Sequence, residues 1–219
     1  MRGPTRQQIP NLVTITRLIL AGAFFLVLNQ FRAPDQHPQW VLAAMFLFIV
    51  AAATDAVDGY LARRWNAVSA FGRIMDPFVD KVLVLGAFVY LASDRFTDPA
   101  RLADGETFTM LSGVYPWMVV VVMARELLVT AIRGLAEREG IAFGARTAGK
   151  LKMVLQSIAI PVILLVLAVG APTERPAMLL LNHLLAVATI IVTIWSGVPY
   201  IIGIRRLADI ARPTTGPPA

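Results

Sequence analysis

Four aspartates at helical spacing are the residues best able to do chemistry in this chain of 219 residues. Asp55 and Asp58 are three positions apart and share one helix face. Asp76 and Asp80 follow Gly72 at intervals of four and form a second stripe. About seven residues join the two segments, so they read as antiparallel neighbours whose carboxylates converge. Clustered carboxylates suit a hard divalent cation, magnesium or manganese rather than zinc. Two such cations would let four carboxylates clamp a phosphate between attacking and leaving oxygens.

A structural reading competes, in which the acids are buried and paired with Arg63, Arg64, Arg73 and Lys81. It explains one aspartate more readily than four. Asp55 and Asp58 also stand in the last turns of their helix, where the helix dipole disfavours negative charge and calls for a positive partner. Gly59 and Ala62 clear side chains from the same turn. That could serve close helix packing or let a flat ligand lie against the backbone.

A cationic group follows. Arg125 and Arg133 are eight apart, on broadly one helix side, and Arg146 and Lys150 are four apart at the start of the next helix. Facing the aspartates, they would make a pocket for a phosphorylated alcohol, which a neutral alcohol would not need. Their other reading is anchoring at a membrane face.

The elements that must position these residues are apolar. Hydrophobic residues make up 57% of the chain and charged residues 16%, against about 25% charged in an ordinary soluble domain. Mean hydropathy is +0.68. Too few polar residues remain to cover a water-soluble surface, and lipid is the expected solvent. With no cysteine, disulfides, thiolate metal sites and cysteine nucleophiles are excluded. The formal charge of +6 fits membrane orientation and phosphate binding, and nothing requires nucleic acid.

A membrane-spanning helix needs about 20 mostly apolar residues. Six segments qualify: 11–29, 39–63, 71–92, 114–136, 147–169 and 177–204. Gly197 and Pro199 are expected to kink or end the sixth. The segment between Ser93 and Gly113 reads as a polar connection. The fold class is therefore all-α, a polytopic membrane protein with six transmembrane helices. One domain spans 1–212 and a flexible tail 213–219.

Lys and Arg concentrate at the N-terminus, the C-terminus and the second-to-third and fourth-to-fifth connections, which makes that side cytosolic, with both termini on it. His37 and His183 fall toward the opposite side and are poor ligand candidates. Asp55 precedes Arg63 by eight residues, about 12 Å of helix. The site is thus expected just inside the cytosolic face of the cell membrane, open to a soluble phosphate and to lipid tails.

The order D-x2-D-G-x2-A-R-x8-G-x3-D-x3-D is complete from Asp55 to Asp80. It resembles the signature of the CDP-alcohol phosphatidyltransferases. The resemblance implies a six-helix membrane enzyme, usually a homodimer, that transfers a phosphatidyl-type group from a CDP-linked lipid to an alcohol and releases CMP. It implies Asp55, Asp58, Asp76 and Asp80 as metal ligands, with Asp80 also the general base on the acceptor hydroxyl. Gly59, Ala62, Arg63 and Gly72 would help hold the cytidine and its phosphates.

The stretches Ile9–Thr14 with Arg17, Ala62–Asn66, Asp76–Lys81, Ala124–Leu128 with Arg133, and Gly149–Lys152 are similar to one branch. That branch takes CDP-diacylglycerol as donor and glycerol 3-phosphate as acceptor, giving phosphatidylglycerophosphate. Asn11 and Arg17, on the first helix, are candidate contacts to the nucleotide or the acceptor phosphate. Inositol phosphate as acceptor, or phosphatidylglycerol as in a cardiolipin synthase, is the nearest alternative. A cation- or proton-coupled transporter is the rival of a different class, since intramembrane carboxylates mark such pathways too. A transporter site should lie near the midplane within paired repeats, and no repeat is evident.

Overall fold

The structure, a computed structural model, describes the backbone of residues 8–33, 37–65, 70–138, 147–170 and 172–210. Side chains are described for 13–33, 37–54, 75, 78–136, 138, 149–170 and 172–203. The tail 213–219 lies outside the described residues.

The apolar runs fold as helices, because only a helix satisfies the backbone within one such segment. In chain order they are α1 (Gln8–Leu28), α2 (Pro38–Trp65), α3 (Ala70–Leu91), α4 (Pro99–Ala103), α5 (Pro116–Arg138), α6 (Thr147–Val169) and α7 (Pro176–Ile210). Among the described residues there is no strand, and one isolated bridge joins Thr97 to Met110. Proline opens α2, α4, α5 and α7, where its fixed φ suits the first turn and its missing N–H costs nothing. Asp98 caps α4 by accepting from the Ala100 N–H at 3.0 Å.

Two readings of the sequence need correction. Gly197 and Pro199 do not end the last helix, which runs through both to Ile210. Hydrogen bonds from α5 flank that stretch and help carry it past the break: Arg125 to Ser196 at 2.9 Å and Arg133 to Tyr200 at 2.6 Å. The stretch from Ser93 to Gly113 is not simply a polar connection. It holds a 3-10 turn (Asp94–Phe96) and α4, and buries Phe96, Leu111 and Ser112. Gly113 has φ +71°, and a Cβ there would stand 2.6 Å from the Asn182 carbonyl carbon, so this loop lies backbone to backbone on α7.

The main core joins α1, α2, α3, α5, α6 and α7. Phe24 meets Phe48 with ring centroids 5.6 Å apart, and buried Ala21, Ala44, Ala51 and Ala87 let the helix axes approach. Polar residues lie inside: Thr14, Arg17, Gln156, Asn182, Thr193 and Ser196 are buried. Large apolar residues lie outside, such as Leu26 at 70% exposure. Among the described residues, Gly149–Val169 and Pro176–Gly203 are long and apolar enough to cross a membrane, and Val13–Leu28 and Pro38–Thr54 are shorter apolar helices.

Three connections gather at one end of the bundle. The Ala33 N–H donates to the Arg95 carbonyl at 2.7 Å, Arg95 Nη1 to the Asn29 carbonyl at 2.7 Å, and Arg101 Nη2 to the Thr173 carbonyl at 3.3 Å. The last turns of α2 and α5 and the first turns of α3 and α6 therefore lie at the other end, toward which the acidic segments of α2 and α3 run.

Candidate active site

Asp80 is the aspartate of the signature whose side chain is described. It lies at the middle of α3, half-buried, and lines two adjoining cavities. One is shared with Lys81, Glu126, Lys152 and Gln156. The other is shared with Arg17, Ala51, Ala52 and Ser157. Val84 and Met153 line both. The two form a cleft among α1, α2, α3, α5 and α6, with a carboxylate at its centre and cations around it.

Each cation has a local reason for its place. Lys152 stands four residues before Gln156, and both are buried on the inner stripe of α6, whereas Lys150 is exposed. Lys152 Nζ donates to Glu126 Oε1 at 2.5 Å, and Arg125 Nη1 donates to the same oxygen at 2.8 Å. One carboxylate on α5 thus pairs with two cations, and their side chains are only about a tenth exposed. Lys81 donates to the Thr130 hydroxyl, which itself donates to the Glu126 carbonyl at 2.7 Å. Arg17 is 1% exposed and reaches the cleft from α1.

The expected residues separate into groups. Arg17 and Asp80 come together in the cleft. Arg125 and Arg133 point to α7 and are not among the cleft's lining residues. Arg125 bonds Ser196, and a Cβ on neighbouring Gly197 would stand 3.3 Å from Arg125 Cγ. Arg133 bonds the buried Tyr200 hydroxyl and sits 5.3 Å from its ring centroid. The side chains of Asp55, Asp58, Gly59, Ala62, Arg63, Gly72, Asp76, Asn11 and Arg146 lie outside the described residues. The backbone puts Asp55 and Asp58 in α2, and Asp76 one turn before Asp80 in α3.

Glu126, Lys152 and Thr130 were missed as separate site residues. A signal existed for Lys152: a charged residue four before Gln156 inside an apolar helix marks an inward polar stripe. Among the described residues no three metal-binding side chains cluster. The donor chemistry near Asp80 is nonetheless mainly oxygen, from Asp80, Glu126, Gln156 and Ser157, with no thiolate or imidazole among the lining residues, which fits a hard divalent cation.

The chain matches the family model described as CDP-alcohol phosphatidyltransferase over residues 7–195. It belongs to the CDP-alcohol phosphatidyltransferase family. It is similar to proteins named CDP-diacylglycerol–glycerol-3-phosphate 3-phosphatidyltransferase. With that of Bacillus subtilis it shares 34% identity over 164 residues, 72% of this chain and 76% of the relative. With that of Escherichia coli K12 it shares 34% over 160 residues, 69% and 74% of the two chains. A probable phosphatidylglycerophosphate synthase of Mycobacterium tuberculosis is 31% identical over 202 residues, 92% of this chain and 83% of that one.

Proposed function

We propose that the protein transfers the phosphatidyl group of CDP-diacylglycerol to sn-glycerol 3-phosphate, giving phosphatidylglycerophosphate and CMP. The observation that carries this reading is the cleft at Asp80. A carboxylate able to take a proton and cations able to hold a phosphate line one space, Lys81 and Lys152 on one side and Arg17 on the other. The names of the similar proteins support the choice of acceptor.

In this reading the acceptor hydroxyl oxygen attacks the phosphorus that carries the diacylglycerol. The bond from that phosphorus to the CMP oxygen breaks, and Asp80 takes the hydroxyl proton. Gly59, Ala62, Arg63 and Gly72 hold the nucleotide side of the donor. The cationic wall holds the acceptor phosphate, so that the hydroxyl is presented in line rather than met by collision. A divalent-cation requirement is general in this family. Two such ions, held by Asp55, Asp58, Asp76 and Asp80, would neutralise the phosphate charge that develops as CMP leaves.

The surroundings complete the proposal. The six long helices span the cell membrane as one domain, with both termini and the site toward the cytosol, and the chain pairs as a homodimer. The buried polar interior and apolar exterior support the membrane placement.

The test is an acceptor panel with purified protein, CDP-diacylglycerol and magnesium or manganese. CMP release with glycerol 3-phosphate is expected. Release with inositol phosphate or phosphatidylglycerol, but none with glycerol 3-phosphate, would overturn the acceptor assignment.

A further inference from the structure

One turn of α5 faces the cleft and fastens a lysine from each of two other helices. Glu126 holds Lys152 of α6 through its carboxylate, and Thr130 holds Lys81 of α3 through its hydroxyl. The Thr130 hydroxyl also donates to the Glu126 carbonyl, which fixes the oxygen that receives Lys81. The two lysines line the same cavity as Asp80. Two carboxylates and two ammonium groups line that cavity, and Arg125 adds a cation behind Glu126.

We propose that Glu126 and Thr130 are positioning residues that set Lys152 and Lys81 to receive the phosphate of the acceptor. This rests on the acceptor being a phosphorylated alcohol, as in the function proposed above. A free lysine has a flexible four-carbon stem and about 2 kcal/mol of rotamer entropy to lose when it binds. Fastening it beforehand removes much of that cost from the binding step. The geometry leaves capacity for the ligand, since an ammonium group has three donors and each lysine makes one of the hydrogen bonds described here. Glu126 has a second use. Without its carboxylate, Arg125 and Lys152 would face each other as like charges, and Lys152 would turn away.

The alternative is a purely structural knot tying α3, α5 and α6. The two differ in what they do to each substrate. A structural knot affects folding, or kcat and both KM values together. A positioning role raises KM for the phosphorylated acceptor and leaves KM for CDP-diacylglycerol alone.

The experiment is steady-state kinetics with both substrates varied, on wild type, Thr130→Val, Thr130→Ser and Glu126→Gln. Thr130 is exposed on its helix, so valine there should fold, and it removes only the hydroxyl. Losing a hydrogen bond to a charged group costs about 1.5 kcal/mol or more, which corresponds to roughly a tenfold change. Thr130→Val is expected to raise KM for glycerol 3-phosphate about tenfold, with kcat and the donor KM within twofold, and Thr130→Ser is expected to restore it. Glu126→Gln is expected to raise the same KM by at least as much.

Equal changes in both KM values, or no rescue by Thr130→Ser, would overturn the positioning role. The wild type separates this from the function itself. If it turns over another phosphorylated acceptor, the named substrate fails and the same KM comparison still decides the positioning role. If it accepts only neutral alcohols, both fail.

Discussion

Asp80→Asn removes a negative charge and a proton acceptor while keeping the size of the side chain. The amide has the shape of the carboxylate, and the side chain is half-buried beside open cavity space rather than wedged in the core, so no steric cost is expected. The chemical cost can be bounded from the cleft. Its described lining holds two carboxylates, Asp80 and Glu126. Glu126 is engaged by Arg125 and Lys152 on one oxygen and is a poor substitute base. The full general-base contribution should therefore be lost, about 10²–10⁴-fold, equivalent to roughly 3–5 kcal/mol of barrier. Loss of a metal-binding oxygen adds to it. The assay is CMP release in detergent with saturating CDP-diacylglycerol and glycerol 3-phosphate, alongside the thermal midpoint of the same preparation. A fall in kcat of at least a hundredfold, with a midpoint close to wild type, is expected. A kcat within tenfold of wild type would refute the role given to Asp80.

Further expectations concern other parts of the molecule. Arg17→Met should lower kcat/KM at least about tenfold, since a buried cation beside Asp80 that touched a phosphate contributes about 1.5 kcal/mol or more; unchanged kinetics would make it a packing residue. Chelation of divalent cations should abolish CMP release and added magnesium or manganese should restore it, while Asp55→Asn or Asp76→Asn should raise the metal concentration needed. Gly113→Ala should cost about 3 kcal/mol, because the added Cβ meets the α7 backbone at 2.6 Å and φ is +71°. That should lower the thermal midpoint several degrees yet leave low-temperature turnover intact, Gly113 being at the end of the bundle away from the acidic segments.

The helices were legible because apolar runs ending at proline or at charge clusters define them without help from the rest of the fold. The fifth apolar segment was read with the bounds of α6, Thr147–Val169. The last helix was read as far as 204 and runs on to Ile210; Gly197 and Pro199 are local signals of a break, whereas the contacts that flank them come from Arg125 and Arg133, 71 and 67 positions away. The aspartate motif was legible as a pattern, and family membership agrees with it. The cationic wall was legible in charge but not in detail. Spacing alone suggested Lys150, which is exposed, while Lys152 two residues on lines the cleft. Which of two nearby lysines faces inward depends on helix rotation, and that is set by packing against α2 and α7. Glu126 drew notice only as part of a motif, because its partners come from its own neighbour and from another helix.

The account stands most directly on the identity and stoichiometry of the products. Purified protein in detergent or lipid vesicles, given CDP-diacylglycerol, glycerol 3-phosphate and magnesium, can be sampled over time for CMP and for new lipid by mass spectrometry. The prediction is one phosphatidylglycerophosphate formed for each CMP released, with none formed when glycerol 3-phosphate is withheld. CMP release without that lipid, or a different lipid formed from another acceptor at a higher rate, would contradict the account.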